Sequence, residues 1–109
     1  AIEAVSGYGT FLHGEAVAIG MMAAARIAER LGMIDKELVE RQRRVLESYD
    51  LPTTASGLNV DDLIEATKSD KKSRAGTIRW VLLEGPGKAT TRRDVPDDIV
   101  REAVLSVLD

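Results

Sequence analysis

Cysteine is absent from the 109 residues. That excludes disulfides and thiolate metal sites, and it fits a reducing compartment such as the cytoplasm. Aromatic residues are scarce, at 4%, so the core has to be built from Leu, Ile, Val, Ala and Met. Such a core favours packed helices over a β-sandwich, which draws on aromatic and β-branched side chains. No basic face is available: 15 Lys and Arg stand against 18 Asp and Glu, and they are dispersed. Binding along a phosphate backbone needs massed positive charge, so nucleic acid is not an expected partner. The densest basic run, Arg41-Gln42-Arg43-Arg44, sits among acids in a helical pattern and reads as a solvated face. The longest apolar run, Ala16 to Ala25, is closed by Arg26 and Glu29 before it could span a bilayer. No signal-peptide pattern opens the chain, and no membrane partner is expected. No Gly-rich loop follows a strand, so no dinucleotide-binding fold is expected within these residues.

What is there is one small domain's worth of sequence, organised around Leu12 to Met21, LHGEAVAIGM, and the alanine-rich run after it. Between Ala16 and Ala28 apolar residues fall on every side, which predicts a helix from about Gly14 to Leu31 buried all round. Its small residues Ala18, Gly20, Ala23, Ala24 and Ala25 would allow neighbouring backbones close, and Gly32 stops it. Asp35 can cap the next helix, with Glu37 in its first turn. Leu38, Val39, Val45, Leu46 and Tyr49 form the predicted inward stripe of that helix, and Leu51-Pro52 ends it. Asn59 can cap a third helix, with Leu63 and Ile64 inward, running into Ser69 to Lys72. The period then changes to two. Thr77 to Glu84 reads as a strand, Gly85-Pro86-Gly87 as a turn and Lys88 to Thr91 as the returning strand. Pro96, read as a first helical residue, opens a last helix with Ile99, Val100, Ala103, Val104, Val107 and Leu108 on one stripe. Upstream of all this, Ala1 to Val5 reads as a helix tail ended by Ser6 to Gly9. It lacks the cap that usually opens a helix, as expected of a chain whose preceding residues belong to the same site. The predicted fold class is mainly α, a multi-helical domain with one small β-hairpin.

Few residues here can carry chemistry. His13 is the only histidine. A lone histidine at a helix start is more often a cap or a core residue than a ligand. Two features argue for a ligand: the side chain springs from the rigid end of the most apolar helix, and Glu15 follows at close range as a group that could orient it. A catalytic zinc takes about three protein ligands and keeps one open position, so a complete site would borrow ligands from elsewhere. Lys71 and Lys72 close a helix where cations complement the dipole. Their functional alternative is a point charge for a phosphate or carboxylate. Trp80, on an alternating strand, reads as core. Arg74 and Arg79 are candidates for anion contact that nothing separates from surface charge, and Met21 and Met22 read as packing residues.

Three stretches, in order, resemble the C-terminal half of the 3-dehydroquinate synthase family: AIEAVSGYG at 1–9, LHGEAVAIGM at 12–21 and DKKSRAGTIRWVLLEGPGKA at 70–89. The first is similar to the segment following a histidine in that family's GHAIE motif, and the second to its second histidine motif. The resemblance implies a two-domain enzyme with an N-terminal NAD-binding half, a helical C-terminal half and an active site between them. Residues 1–109 would be the C-terminal metal- and substrate-binding domain, and the NAD-binding domain would lie outside this chain. The implied reaction converts 3-deoxy-D-arabino-heptulosonate 7-phosphate to 3-dehydroquinate and phosphate in the shikimate pathway. In it, NAD transiently oxidises a ring hydroxyl, phosphate is eliminated, and reduction, ring opening and an internal aldol closure follow. A divalent metal, usually zinc, acts as a Lewis acid. His13 matches the zinc-ligand histidine of the second motif. Lys72 matches the lysine that contacts the substrate, with Lys71 the alternative if the register differs by one.

The family's remaining ligands and its NAD site fall before Ala1, so the chain alone is expected to be inactive and to hold neither NAD nor metal tightly. Its expected partners are the phosphorylated sugar acid, the missing N-terminal domain and, through apolar surface around Ala1 to Ala18, further copies of itself. The competing readings are another NAD- and zinc-dependent sugar-phosphate cyclase, a non-catalytic helical interaction module and, less well matched at the lysine and hairpin segment, a metal-dependent polyol dehydrogenase.

Overall fold

The computed structural model describes the backbone of Ile2, residues 13–73 and residues 80–108, and the side chains of Ile2, 14–66 and 80–108. Within these residues the chain forms four helices and a two-stranded hairpin: α1 (His13–Arg30), α2 (Lys36–Ser48), α3 (Val60–Ser73), β1 (Trp80–Gly85), β2 (Lys88–Arg92) and α4 (Asp97–Ser106). The mainly helical class with one hairpin is what the sequence predicts. The helix tail expected at Ala1 to Val5 lies outside the described residues apart from Ile2, which is helical.

Helix α1 is the centre, with β1, α4 and α2 packed against it and α3 held through α4. Ala18, Ile19, Met22, Ala25, Ile27 and Ala28 are buried along it. The expectation of burial all round does not hold. Gly14, Val17, Gly20 and Met21 are exposed, because the packed elements cover α1 on three sides and leave a fourth open. Gly20 is not a point of close approach either, since a β-carbon there would meet nothing within 4 Å.

The stop after α1 is a complete Schellman motif. Met33 N–H donates to the Ala28 carbonyl at 2.9 Å and Gly32 N–H to that of Glu29 at 3.0 Å. Gly32 takes the left-handed angle, φ +76°, that this geometry demands. Asp35 then caps α2 as predicted, its Oδ1 accepting the Leu38 N–H at 2.9 Å.

On α2, Val39 and Leu46 are buried, but Val45 and Tyr49 face outward, which corrects the inward stripe. The inner line of this helix runs through Val39, Gln42 and Leu46 instead, with the Gln42 amide donating to the Met21 carbonyl at 3.0 Å. A polar residue in that line hid the true face from a hydrophobic count. The helix also ends differently from the prediction. Asp50, at φ +58°, reverses the chain before Pro52 is reached. Leu51 N–H and Asp50 N–H donate to Leu46 and Glu47 carbonyls at 3.1 and 3.0 Å, a second Schellman stop.

Asn59 caps α3 as expected, accepting Asp61 N–H at 2.8 Å and Asp62 N–H at 3.3 Å. Leu63 is buried there and Ile64 half-buried. The start predicted for the first strand, residues 77–79, lies outside the described residues. From Trp80 the strand pairs antiparallel with β2, Trp80 opposite Arg92 and Leu82 opposite Thr90, with a bulge between Leu83 and Gly85. Leu82 is buried while Val81 is exposed, so β1 gives one face to the core. Gly87 at φ +71° follows Pro86 in the two-residue turn.

Pro96 is the N-cap of α4 rather than its first helical residue. Its φ of −62° suits a helix but its ψ of 145° is extended, and its carbonyl accepts from Ile99 and Val100 at 3.1 Å. Val100, Ala103 and Val107 are buried, while Ile99, Val104 and Leu108 sit half-buried at the edge. Ala55 N–H donates to the Val107 carbonyl at 2.8 Å, and ion pairs Arg30–Glu102 and Arg101–Asp61 bind α4 to α1 and α3. Among the described residues no helix is long and apolar enough to cross a membrane.

Candidate functional site

The two candidate centres stand at helix ends. His13 is the first residue of α1, the element most fully engaged in the core. Its backbone position is therefore set by the packing of Ile19, Met22 and Ile27 behind it. Lys71 and Lys72 lie in the last turn of α3. Both helices are joined through α4, which packs against each. The side chains of His13, Lys71 and Lys72 lie outside the described set, as do Arg74 and Arg79. Glu15, in the first turn of α1, is half-buried. Trp80 packs half-buried against the core cluster, as its alternating strand predicts.

Among the described residues no group of three or more His, Asp or Glu could hold a metal ion. An imidazole at a rigid helix start fits a divalent metal as one ligand. A catalytic zinc takes about three from protein, so His13 can be a member of such a site and not the whole of it.

Two further features were not anticipated. An open cleft of about 570 Å³ lies between the start of α2 and the hairpin turn, bounded by Leu38, Arg41, Arg44, Glu84 and Pro86. It sits beyond the far end of α1, about 27 Å of helix from His13, and Arg41 and Arg44 in it are exposed, as a solvated face requires. At the exit of β2, the Arg92 guanidinium donates to both carboxylate oxygens of Asp94, at 2.9 and 3.1 Å. The hydrogen bond from Arg92 lowers the Asp94 pKa below the usual carboxylate value, helped by a backbone hydrogen bond. The Arg92 pKa is raised correspondingly. Sequence spacing alone gave no sign of this fork, because it depends on the backbone turning between the two.

Comparison with known proteins follows the same outline. The chain is 45% identical to a 3-dehydroquinate synthase of Nostoc punctiforme over 105 residues, 95% of this chain and 29% of that protein. It is 44% identical to that of a Synechococcus species over 108 residues, 99% of this chain and 28% of the relative. Among solved structures, a 2-epi-5-epi-valiolone synthase from Streptomyces hygroscopicus with NAD+ and Zn2+ bound superposes with a TM-score of 0.86 at 26% identity. That match covers 97% of this chain and 29% of the other. The chain thus spans less than a third of the length of these relatives. A profile described as 3-dehydroquinate synthase C-terminal matches residues 1–73, and the chain therefore belongs to the 3-dehydroquinate synthase family, corresponding to its C-terminal part.

Proposed function

We propose that these residues serve as the C-terminal domain of a cytoplasmic 3-dehydroquinate synthase, making 3-dehydroquinate and phosphate from 3-deoxy-D-arabino-heptulosonate 7-phosphate. The observation that carries this is the 45% identity to a synthase of that name across 95% of the chain. The solved relative that makes a different cyclic product stands at 26%.

His13 would give one imidazole to the metal, held by the buried helix behind it. Lys72, with Lys71 as the alternative, would place an ammonium against a phosphate oxygen. Elimination breaks the carbon–oxygen bond to phosphate and sends the electron pair out with the leaving group, so a fixed cation there stabilises charge that grows in the transition state. When bound, NAD would accept and return a hydride at a substrate carbinol, and zinc or another divalent cation would act as a Lewis acid on substrate hydroxyls. The other metal ligands and the NAD site would come from the part of a family-length chain that lies before the stretch matching Ala1.

The test joins residues 1–109 behind the part of the Nostoc punctiforme enzyme that precedes its matched span. With NAD and zinc, the chimera should release phosphate and dehydroquinate from the heptulosonate phosphate. His13→Ala should lower both bound zinc and kcat. Removing the correct lysine should weaken use of substrate about 10- to 100-fold, the value of a charge-assisted contact, while removing its neighbour should not. A folded chimera that cyclises only another phosphorylated sugar would move the assignment to a related cyclase. One that turns over neither substrate would leave the interaction-module reading standing.

A further inference from the structure

The cleft between α2 and the hairpin turn takes no described residue from the His13 end of α1 or from α3, and the charges that line it differ from those elsewhere in the chain. Arg26, Arg30, Arg43, Arg92 and Arg101 each have a carboxylate within 3.5 Å. Arg41 and Arg44, which line the cleft from one face of α2, have no ion-pair partner among the described residues. Glu37 precedes Arg41 by four residues, the spacing at which a glutamate and a later cation pair along a helix. No ion pair joins them even so. On the opposite wall Glu84 is exposed and likewise without an ion pair among the described residues. Apolar groups lie between: Ile34 is buried, Met33 and Leu38 are half-buried, and Pro86 closes the rim. Opposite charges thus stand apart around a space of about 570 Å³, within the roughly 300–1,000 Å³ of small-molecule sites.

The lining selects the chemistry of an occupant. A phosphate or other polyanion would meet Arg41 and Arg44 but also Asp35, Glu37 and Glu84, so carboxylates outnumber guanidinium groups. A bare cation would meet the two arginines. A wholly apolar molecule would take water from charges that it could not pair. A small zwitterion with an apolar body suits all three parts of the lining. We infer that the cleft binds such a zwitterion, a free α-amino acid or a dipeptide with aliphatic side chains. Its carboxylate lies against Arg41 and Arg44, its ammonium toward Glu84, and its apolar part on Met33, Leu38 and Pro86. Guanidinium groups fit this role because each can hold a carboxylate through two parallel N–H donors. The site uses neither His13 nor Lys71 and Lys72, so it stands or falls independently of the proposed reaction.

The test uses L-leucine and L-leucyl-L-leucine, together with the N-acetyl form of each, which lacks the ammonium, and the amide form of each, which lacks the carboxylate. Each compound is titrated into the isotope-labelled 109-residue chain. Amide chemical shifts are read at Gly32, Met33, Leu38 and Gly85 in the cleft, with Leu105 on α4 as the distant reference. At least one zwitterion should saturate the cleft shifts by about 10 mM and leave Leu105 in place; the tighter of the two identifies the source as free amino acid or peptide. Removing either charge from it should weaken binding about tenfold, as loss of a charge-assisted hydrogen bond does. Arg41→Gln combined with Arg44→Gln should erase the advantage of the zwitterion over its amide, and Glu84→Gln its advantage over the N-acetyl form. Saturation by neither zwitterion would overturn the inference. So would an N-acetyl form that binds as tightly as its parent, since that would reduce the cleft to a plain anion site. If the short chain gives no dispersed spectrum, the same compounds and substitutions are measured on the chimera by calorimetry, and the same outcomes decide.

Discussion

Asp50 carries the left-handed turn after α2 with a side chain that glycine would spare it. L-residues pay about 1–2 kcal/mol for that conformation, with Asp and Asn among the more tolerant. Glycine removes the strain but restores entropy to the unfolded chain. The net expectation for Asp50→Gly is a gain of about 0.5–1 kcal/mol, seen as a higher urea midpoint at unchanged slope. A fall in the midpoint would show that the carboxylate contributes more than its backbone angle costs. At the other end of the fold, the Asp94 pKa is lowered by the hydrogen bond from Arg92. The folded protein therefore binds that proton less readily than the unfolded chain does. Its contribution to stability is present above the ordinary carboxylate range and is lost as pH falls through the lowered Asp94 value. Arg92 stays charged throughout. Asp94→Asn should lower stability slightly at neutral pH and leave strongly acid pH nearly unchanged, so that the acid limb of the stability curve is flatter; an unaltered acid limb would exclude the pair from that role.

Among the elements, α1 shows how far a pattern can be read. Its position, length and terminating glycine were all legible, because an apolar run, a glycine and a following aspartate are local signals. Its burial was not. Ile19 is fully buried and Val17 nearly half exposed, two residues apart in one uninterrupted apolar run. Sequence period cannot separate them when every position is apolar; only the partners packed around the helix can. Ile19→Ala should therefore cost about 2–5 kcal/mol in urea denaturation, and Val17→Ala should stay within about 0.5 kcal/mol in the isolated chain. Comparable losses at both sites would mean that Val17 is packed as Ile19 is. Helix α2 failed in the opposite way: Gln42 occupies an inward position because its amide reaches the Met21 carbonyl, a contact 21 residues away in the chain.

For the whole molecule, the governing quantity is the number of ligands. A complete structural zinc site in a small peptide is worth about 10–16 kcal/mol at neutral pH. A single imidazole supplies a small part of that. The 109-residue chain should retain no stoichiometric zinc after gel filtration and form no dehydroquinate, while the chimera does both. Stoichiometric zinc in the chain alone, lost with His13→Ala, would show that these residues complete a metal site by themselves.

The residues alone determined the helical class, the hairpin, both side-chain caps and the family, through the strings around His13 and Asp70. Each of these is written in short-range chemistry: a glycine that can take positive φ, a carboxylate three residues before an amide, an alternation of period two. Tertiary structure alone decided which side of α1 stays open, that Asp50 rather than Pro52 reverses the chain after α2, and that Val45 and Tyr49 face out. Those outcomes depend on which elements meet, and a helix that is apolar on every face has no preference until its neighbours have packed against it.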